Sequence, residues 1–318
     1  MAALSSPRGL IVDLVTPLKQ NGDIDGRSLG KHLDRVLPHA QAVLIAGPYM
    51  GEGGNLTARQ REDLMEKTLV VVRGQVPVLV WITQDTEQKT RETLGLLSKR
   101  LKTRKYSGQV CWLDTPLYYH SNRGLFSHYR NLTTLTREAW LLHNDPGLID
   151  QLGRPFKRNN IRTAILTEIL GIDEIQGLLY LGSMDRAGKY EKATRARPDF
   201  KIYDGDELRF LTHPSLSGVV SAGANLSPKG WSKITEASLG LSDNREDYPD
   251  RLQQIWRTGR YLQSLLDLYS SQAVQVIKQV LAEAGIIGSP TCTVQGVEVG
   301  EKVRSILGEM KNFGDYTK

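Results

Sequence analysis

Two side chains of this sequence stand where their surroundings would make them reactive. Asp13 lies inside the apolar run Gly9-Leu-Ile-Val-Asp-Leu-Val-Thr-Pro-Leu18, and His143 closes the run Ala139-Trp-Leu-Leu-His143. A buried, unpaired carboxylate is strongly unfavourable, so Asp13 needs a partner or an upward-shifted pKa. His143 is a candidate partner, and at hydrogen-bond distance the charge pairing should raise the imidazole's pKa more than burial lowers it. Such a pair can transfer protons or hold a divalent ion. Asp114, Asp145, Asp204 and Glu52 also stand near the ends of apolar runs. The competing explanation is that they cap loops and helices, as Asp204 and Asp206 before a helical stretch would do. No metal-ligand spacing is present at these positions, and neither a metal nor a cofactor is expected.

The elements that must hold these groups follow from the hydrophobic pattern. Short, nearly continuous apolar runs occur at 9–18, 42–47, 77–83, 109–114, 139–143, 175–181, 200–203 and 218–222. Helical spacing fills the intervals: 27–37, 57–72 with Thr57 as N-cap, 87–101, 124–135, 161–170 and 184–195, with a short helix opened by Asp204-Gly-Asp-Glu207. After Pro228 the pattern is wholly helical, at about 229–240, 247–268, 271–285 and 297–312. Apolar strands alternating with helices predict a parallel sheet covered on both faces. Eight such units fit a closed (β/α)8 TIM barrel, an α/β fold, with a C-terminal helical extension. The expected division is a barrel over 8–240 and an extension over 241–318. No Gly-x-Gly-x-x-Gly follows the first strand, which argues against a dinucleotide site. In such barrels the site lies where the strands end.

Composition excludes several function classes. Of 318 residues, 40% are hydrophobic and 24% charged, ordinary for a globular protein. No apolar run is long enough to cross a membrane and no signal-peptide pattern opens the chain. The two cysteines, Cys111 and Cys292, form neither a disulfide framework nor a metal cluster and fit a reducing, cytoplasmic setting. The net charge of +6 sits partly in Lys99–Lys105 and in basic residues between Arg186 and Arg197. Both read as solvated helix faces, with no nucleic-acid motif beside them. Trp81, Trp112 and Trp140 read as core.

Several motifs in order carry a resemblance: Val15-Thr-Pro17, Gly22-Asp-Ile-Asp25, Gly51-Glu52, Leu56-Thr57, Thr115-Pro116 with Tyr118-Tyr119, Asn144 with Pro146, Gly205-Asp206, and Gly218-Val-Val-Ser221 with Asn225 and Pro228. Together they resemble the dihydrodipicolinate synthase and N-acetylneuraminate lyase family, from Gly9 to about Gly285. The resemblance implies a (β/α)8 barrel with a helical extension, usually assembled as a homo-oligomer, most often a tetramer. It implies a small-molecule ligand at the barrel mouth and no nucleic-acid or membrane partner. Carried onto this chain, it makes Tyr118, or Tyr119 if the loop shifts, a catalytic candidate beside Asp13 and His143. It makes Thr16, Tyr49, Glu52, Leu179, Gly205 and Val220 ligand-binding candidates.

At the chemical positions the chain departs from that pattern. The family's Schiff-base lysine follows Gly-Leu on the sixth strand, where this chain has Gly177-Leu178-Leu179. An alkyl chain cannot form the imine an amine forms with a keto acid. His143 stands in the place of a proton-relaying tyrosine, Leu148 in that of a carboxylate-binding arginine, and Pro48-Tyr49-Met50 in that of paired threonines. The function expected is therefore a lyase-type or hydrolytic enzyme acting on a small keto-acid-like or oxygen-rich ligand without Schiff-base chemistry. The alternatives are a non-catalytic homologue that binds a metabolite or protein, and a pyruvate-dependent aldolase whose lysine has shifted; Lys19 and Lys229 are remote candidates for it.

Overall fold

The computed structural model describes residues 6–153, 158–214, 217–241, 250–294 and 299–315. Eight strands form the barrel: β1 (Gly9–Asp13), β2 (Ala42–Ile45), β3 (Val78–Trp81), β4 (Val110–Asp114), β5 (Ala139–Asn144), β6 (Ile175–Tyr180), β7 (Lys201–Asp204) and β8 (Gly218–Ser221). They pair in sequence order, all parallel, and β8 returns to β1 through Ile11 opposite Val220. Outside them run α1 (Gly26–Val36), α2 (Ala58–Val72), α3 (Glu87–Arg104), α4 (Pro116–Tyr119), α5 (Leu125–Leu132), α6 (Pro146–Asp150), α7 (Thr163–Ile169), α8 (Met184–Thr194), α9 (Glu207–Thr212) and α10 (Pro228–Leu239). Three further helices, α11 (Asp250–Tyr269), α12 (Ala273–Glu283) and α13 (Gly300–Phe313), follow the barrel. The closed parallel barrel and the helices after it are those the hydrophobic pattern predicts. The opening residues of two expected C-terminal helices, 247–249 and 297–298, lie outside the described residues.

Alternation along each strand divides the apolar residues between two cores. Ile11, Leu44, Leu79, Trp81, Leu113, Leu141, Leu179, Tyr203 and Val220 fill the barrel interior. Their neighbours in sequence, among them Leu10, Val12, Val80, Trp112 and Trp140, pack outward against the helices. Trp81 therefore faces inward, whereas Trp112 and Trp140 face outward. In β6 the pairing slips between Trp140 and Leu141, so that Ile175 faces Trp140 and Gly177 faces Leu141. The extra residue re-phases the strand and brings Leu179 into the interior.

Two short helices, α4 and α6, were not expected. Each begins with a proline two residues after a strand end. Proline has its φ pre-set for a first helical turn and lacks only a donor that would be unpaired there. Asp145 caps α6 by accepting from the Leu148 amide at 3.1 Å. These turns leave each chain segment close to the barrel mouth instead of in an open loop.

The segment after the barrel folds back over that mouth. α11 packs on α9 and α10, and residues 270–271, 273–275 and 292–294 line the cavity above the strand ends. The tie is a buried ion pair between Lys278 of α12 and Glu52 in the loop after β2. Glu52 also accepts from the amide and hydroxyl of Thr293, at 2.6 and 2.9 Å, and Lys278 donates to the Thr291 carbonyl at 2.8 Å.

Candidate active site

The cavity at the C-terminal ends of the strands has a volume of about 640 Å³. Asp13 ends β1 and shares the inward parity of Ile11, so its carboxylate enters this cavity. Its backbone is fixed by Asn225: the Asn225 amide donates to the Asp13 carbonyl at 2.7 Å and its side-chain oxygen accepts from the Val15 amide at 3.1 Å. Against Asp13 lies the Ala46–Gly53 turn, which follows the neighbouring strand β2. A Cβ on Gly47 would lie 2.4 Å from Asp13 Oδ1, so only glycine leaves room for that oxygen. Thr16 donates to the Gly51 carbonyl at 2.8 Å, and buried Arg61 donates to the Trp81 carbonyl at 2.9 Å and to the Gly53 carbonyl. Both side chains hold the turn and do not line the cavity.

Asp13 Oδ1 is buried and has no hydrogen-bond partner among the described residues. Burial, then the nearby Glu207 charge, push the carboxyl up to about 8, against a lowering contribution from the Met50 amide. Asp13 is thus predominantly the neutral acid at neutral pH. Glu207, at the start of α9, is buried as well. Its carboxylate accepts from Ser221 Oγ at 2.5 Å, the Gly223 amide at 2.8 Å and the Tyr269 hydroxyl at 2.8 Å. Burial still raises its pKa. The sequence reading did not single out Glu207; the Asp204-Gly-Asp-Glu run at the end of the seventh strand was the available signal.

His143 reaches the same cavity from β5, but it is not hydrogen-bonded to Asp13. Its Nδ1 lies 2.7 Å from Thr115 Oγ1, and that oxygen also accepts from Trp81 Nε1 at 2.8 Å. No other acceptor for the Thr115 hydroxyl is found among the described residues, so its hydrogen goes to Nδ1. The ring is then the Nε2–H tautomer, with that donor left to the cavity. Burial holds its pKa down to about 4, with the Asp145 charge opposing weakly. The expected charge pairing that would raise the histidine is therefore replaced by a neutral ring on a neutral partner, and desolvation decides the sign.

Among the other candidates, Tyr49, Glu52, Leu179, Gly205 and Val220 line the cavity. Tyr49 donates to Asp145 Oδ2 at 2.6 Å. Leu179, on β6, presents an alkyl chain where the resemblance places an amine. Neither Tyr118 nor Tyr119 is in the lining. Starting α4 at Pro116 carries Tyr118 outward onto the core beneath the helices, and Tyr119 donates to Asp114 Oδ2 at 2.7 Å. Of the described residues that line the cavity, none is a lysine or an arginine. Lys19 lies in a separate surface crevice, and Lys278 is buried in its ion pair. Among the described residues no metal-ligating cluster forms in the cavity.

The chain is similar to known proteins along most of its length. The model of the dihydrodipicolinate synthetase family matches residues 6–308. The 4-hydroxy-tetrahydrodipicolinate synthase of Stutzerimonas stutzeri strain A1501 is 25% identical over 287 residues, covering 88% of this chain and 89% of the relative. The enzyme of that name from Thermotoga neapolitana is 27% identical over 304 residues, covering 88% and 99%. In three dimensions, a putative dihydrodipicolinate synthetase from Pseudomonas aeruginosa superposes with a TM-score of 0.78 at 22% identity, over 96% of this chain and 99% of that one. The dihydrodipicolinate synthase of Thermotoga maritima does so with a TM-score of 0.77 at 20% identity, over 97% and 99%.

Proposed function

The chain belongs to the dihydrodipicolinate synthetase family, and from that premise we propose that it is a lyase-type barrel enzyme working by acid–base chemistry in place of a Schiff base. The observation that carries this reading is the cavity lining: Asp13, Glu207 and His143 face a space into which no described lysine or arginine projects, and burial favours the neutral forms of Asp13 and His143. Without an amine there is no imine. Without a cation in the lining, a doubly charged keto acid gains nothing beside the carboxylate of Glu207. A small, hydroxyl-rich carbonyl compound suits the lining better.

In this reading His143 Nε2–H holds and polarises the ligand's carbonyl oxygen, as a neutral imidazole can. Asp13 moves the proton. A carboxyl with a pKa near 8 is poised to give or take one close to neutral pH. The oxygens of Glu207 are occupied by Ser221, Gly223 and Tyr269, so its part is electrostatic: its charge adds to burial in keeping Asp13 protonated. Proton transfer beside a carbonyl accommodates reversible carbon–carbon cleavage or the addition of water.

The test has two arms. Incubation with pyruvate and borohydride, followed by intact mass measurement, should give no adduct; a stoichiometric adduct on a lysine restores the aldolase reading. A panel of polyhydroxy aldehydes, ketones and keto acids is then incubated with the protein in D₂O. Deuterium should enter at the carbon beside a carbonyl in at least one uncharged compound. Absence of label across the panel favours a non-catalytic, ligand-binding homologue.

We also propose that the chain assembles into a homo-oligomer. Leu252 and Trp256, one turn apart on α11, are 41% and 66% exposed, an apolar pair that a second copy would cover. Light scattering that gives the mass of a single chain at micromolar concentration overturns this.

A further inference from the structure

A second group of reactive side chains lies outside the cavity, behind the ends of β3 and β4. Glu87 opens α3, His120 follows the last residue of α4 as its C-cap and His128 lies on α5. One donor atom from each lies within 4.8 Å of the other two. Hydrogen bonds fix both histidine tautomers. The Tyr119 hydroxyl gives its hydrogen to Asp114 Oδ2 at 2.7 Å, so toward His128 Nε2, 3.0 Å away, it can only accept. Nε2 of His128 therefore carries the hydrogen and Nδ1 carries the lone pair. In His120, Nδ1 donates to the Ser121 carbonyl at 2.7 Å, which leaves its Nε2 as a free acceptor.

The decisive atom is His128 Nδ1. The residue is only 6% exposed, and this nitrogen is buried without a hydrogen-bond partner among the described residues. It faces Glu87 Oε1 at 3.3 Å. A lone pair against a carboxylate oxygen is repulsive unless a proton or a metal cation sits between them. With ligand bonds of about 2.1 Å, a 3.3 Å separation subtends roughly 104° at a shared ion, close to a tetrahedral angle. Glu87 and His120 are only partly buried, so both can close the remaining distance, and the outer side stays open to water. Glu87 Oε1 also accepts from Arg91 Nε at 3.0 Å, so an ion must share Glu87 with that guanidinium or take its other oxygen.

We propose that Glu87, His120 and His128 bind a divalent first-row transition cation. Two imidazoles and one carboxylate suit zinc, nickel, cobalt or iron rather than calcium or magnesium. Each imidazole donates its second nitrogen to a fixed acceptor, the arrangement that orients metal-ligating histidines. Asp114 completes it by holding Tyr119, while the Tyr129 hydroxyl donates to the same oxygen of Asp114 at 2.8 Å and Thr83 holds the other at 2.6 Å. The site is separate from the cavity and stands independently of the acid–base reading.

The test uses the full-length chain without a histidine tag, stripped with a chelator and titrated with Zn²⁺ by calorimetry near neutral pH. One equivalent should bind per chain, and Co²⁺ in its place should give visible d–d absorption. His120→Ala and Glu87→Gln change partly exposed side chains; each should weaken Zn²⁺ binding by about tenfold or more while leaving the circular dichroism spectrum unchanged. His128→Asn should abolish binding, but because that side chain is buried the two surface variants decide the matter. The proposal is overturned if the wild type shows no saturable one-to-one binding. It is equally overturned if folded His120→Ala and Glu87→Gln bind as tightly as the wild type.

Discussion

Asp13 and Asp114 are each the last residue of a barrel strand, and each is buried. Their fates differ because their parity differs. Asp13 follows Ile11 into the barrel, where the cavity supplies few donors and one oxygen stays without a partner. Asp114 follows Trp112 outward, where three hydroxyls surround it: Thr83 at 2.6 Å, Tyr119 at 2.7 Å and Tyr129 at 2.8 Å. A buried carboxylate with a full set of donors is part of the scaffold. One left short of donors, beside another carboxylate, holds its proton and can use it.

The strongest way to break this contrast is Asp13→Asn. Activity on any ligand found by the deuterium screen should fall by about 10²–10⁴-fold. Stability should change with pH in a defined direction. Asp13 has a folded-state pKa above its unfolded value, so its stabilising contribution is complete below about pH 4 and is lost as pH rises toward about 8. Relative to Asp13→Asn, the wild type should therefore lose up to about 5 kcal/mol across that interval. Urea denaturation at several pH values measures it; parallel curves for the two proteins would remove Asp13 from its proposed role.

Asp114→Ala should act on stability instead. It strands three buried hydroxyls at a cost of about 3 kcal/mol or more, read as a shift of the urea midpoint. If activity per folded molecule falls as far as in Asp13→Asn, the distinction between the two aspartates fails.

His143 sharpens the comparison from the inward side. Its folded pKa is depressed to about 4, so it contributes stability that is full above about pH 6.5 and lost as pH falls toward 4. His143→Asn should remove about 3 kcal/mol of that acid-side slope. Histidine NMR should find the ring neutral at pH 6, and equally so in Asp13→Asn. A ring that titrates near neutral pH and shifts in that variant would mean that the two side chains are paired after all.

The smallest effect is expected from Gly47→Ala. Its new methyl lies on Asp13 Oδ1 and must displace it, at about 1–3 kcal/mol. Thermal unfolding beside an activity measurement should show a modest loss of stability with a larger loss of activity.

The sequence by itself determined the barrel. A strand buried on both faces must be apolar throughout, and eight such runs alternating with helices have few ways to close. Asp13 stood out for the same physical reason, as a charge in a run that tolerates none, and His143 by its place at a strand end. Which partner each would find was not legible, because hydrogen bonds between strands depend on register. The bulge in β6 sets that register for Leu179, and the path Trp81–Thr115–His143 crosses three strands. Tyr118 illustrates the opposite error: one helical turn begun at Pro116 was enough to carry it away from the cavity. Glu207 did not stand out in the sequence, and only the packing of α9 set it against Ser221 and Tyr269. Glu87, His120 and His128 show no ligand spacing, since they come from two helices and the end of a third, behind two strands. Local pattern encodes which residues must be buried, and only the packing of distant segments decides which of the buried polar groups find partners.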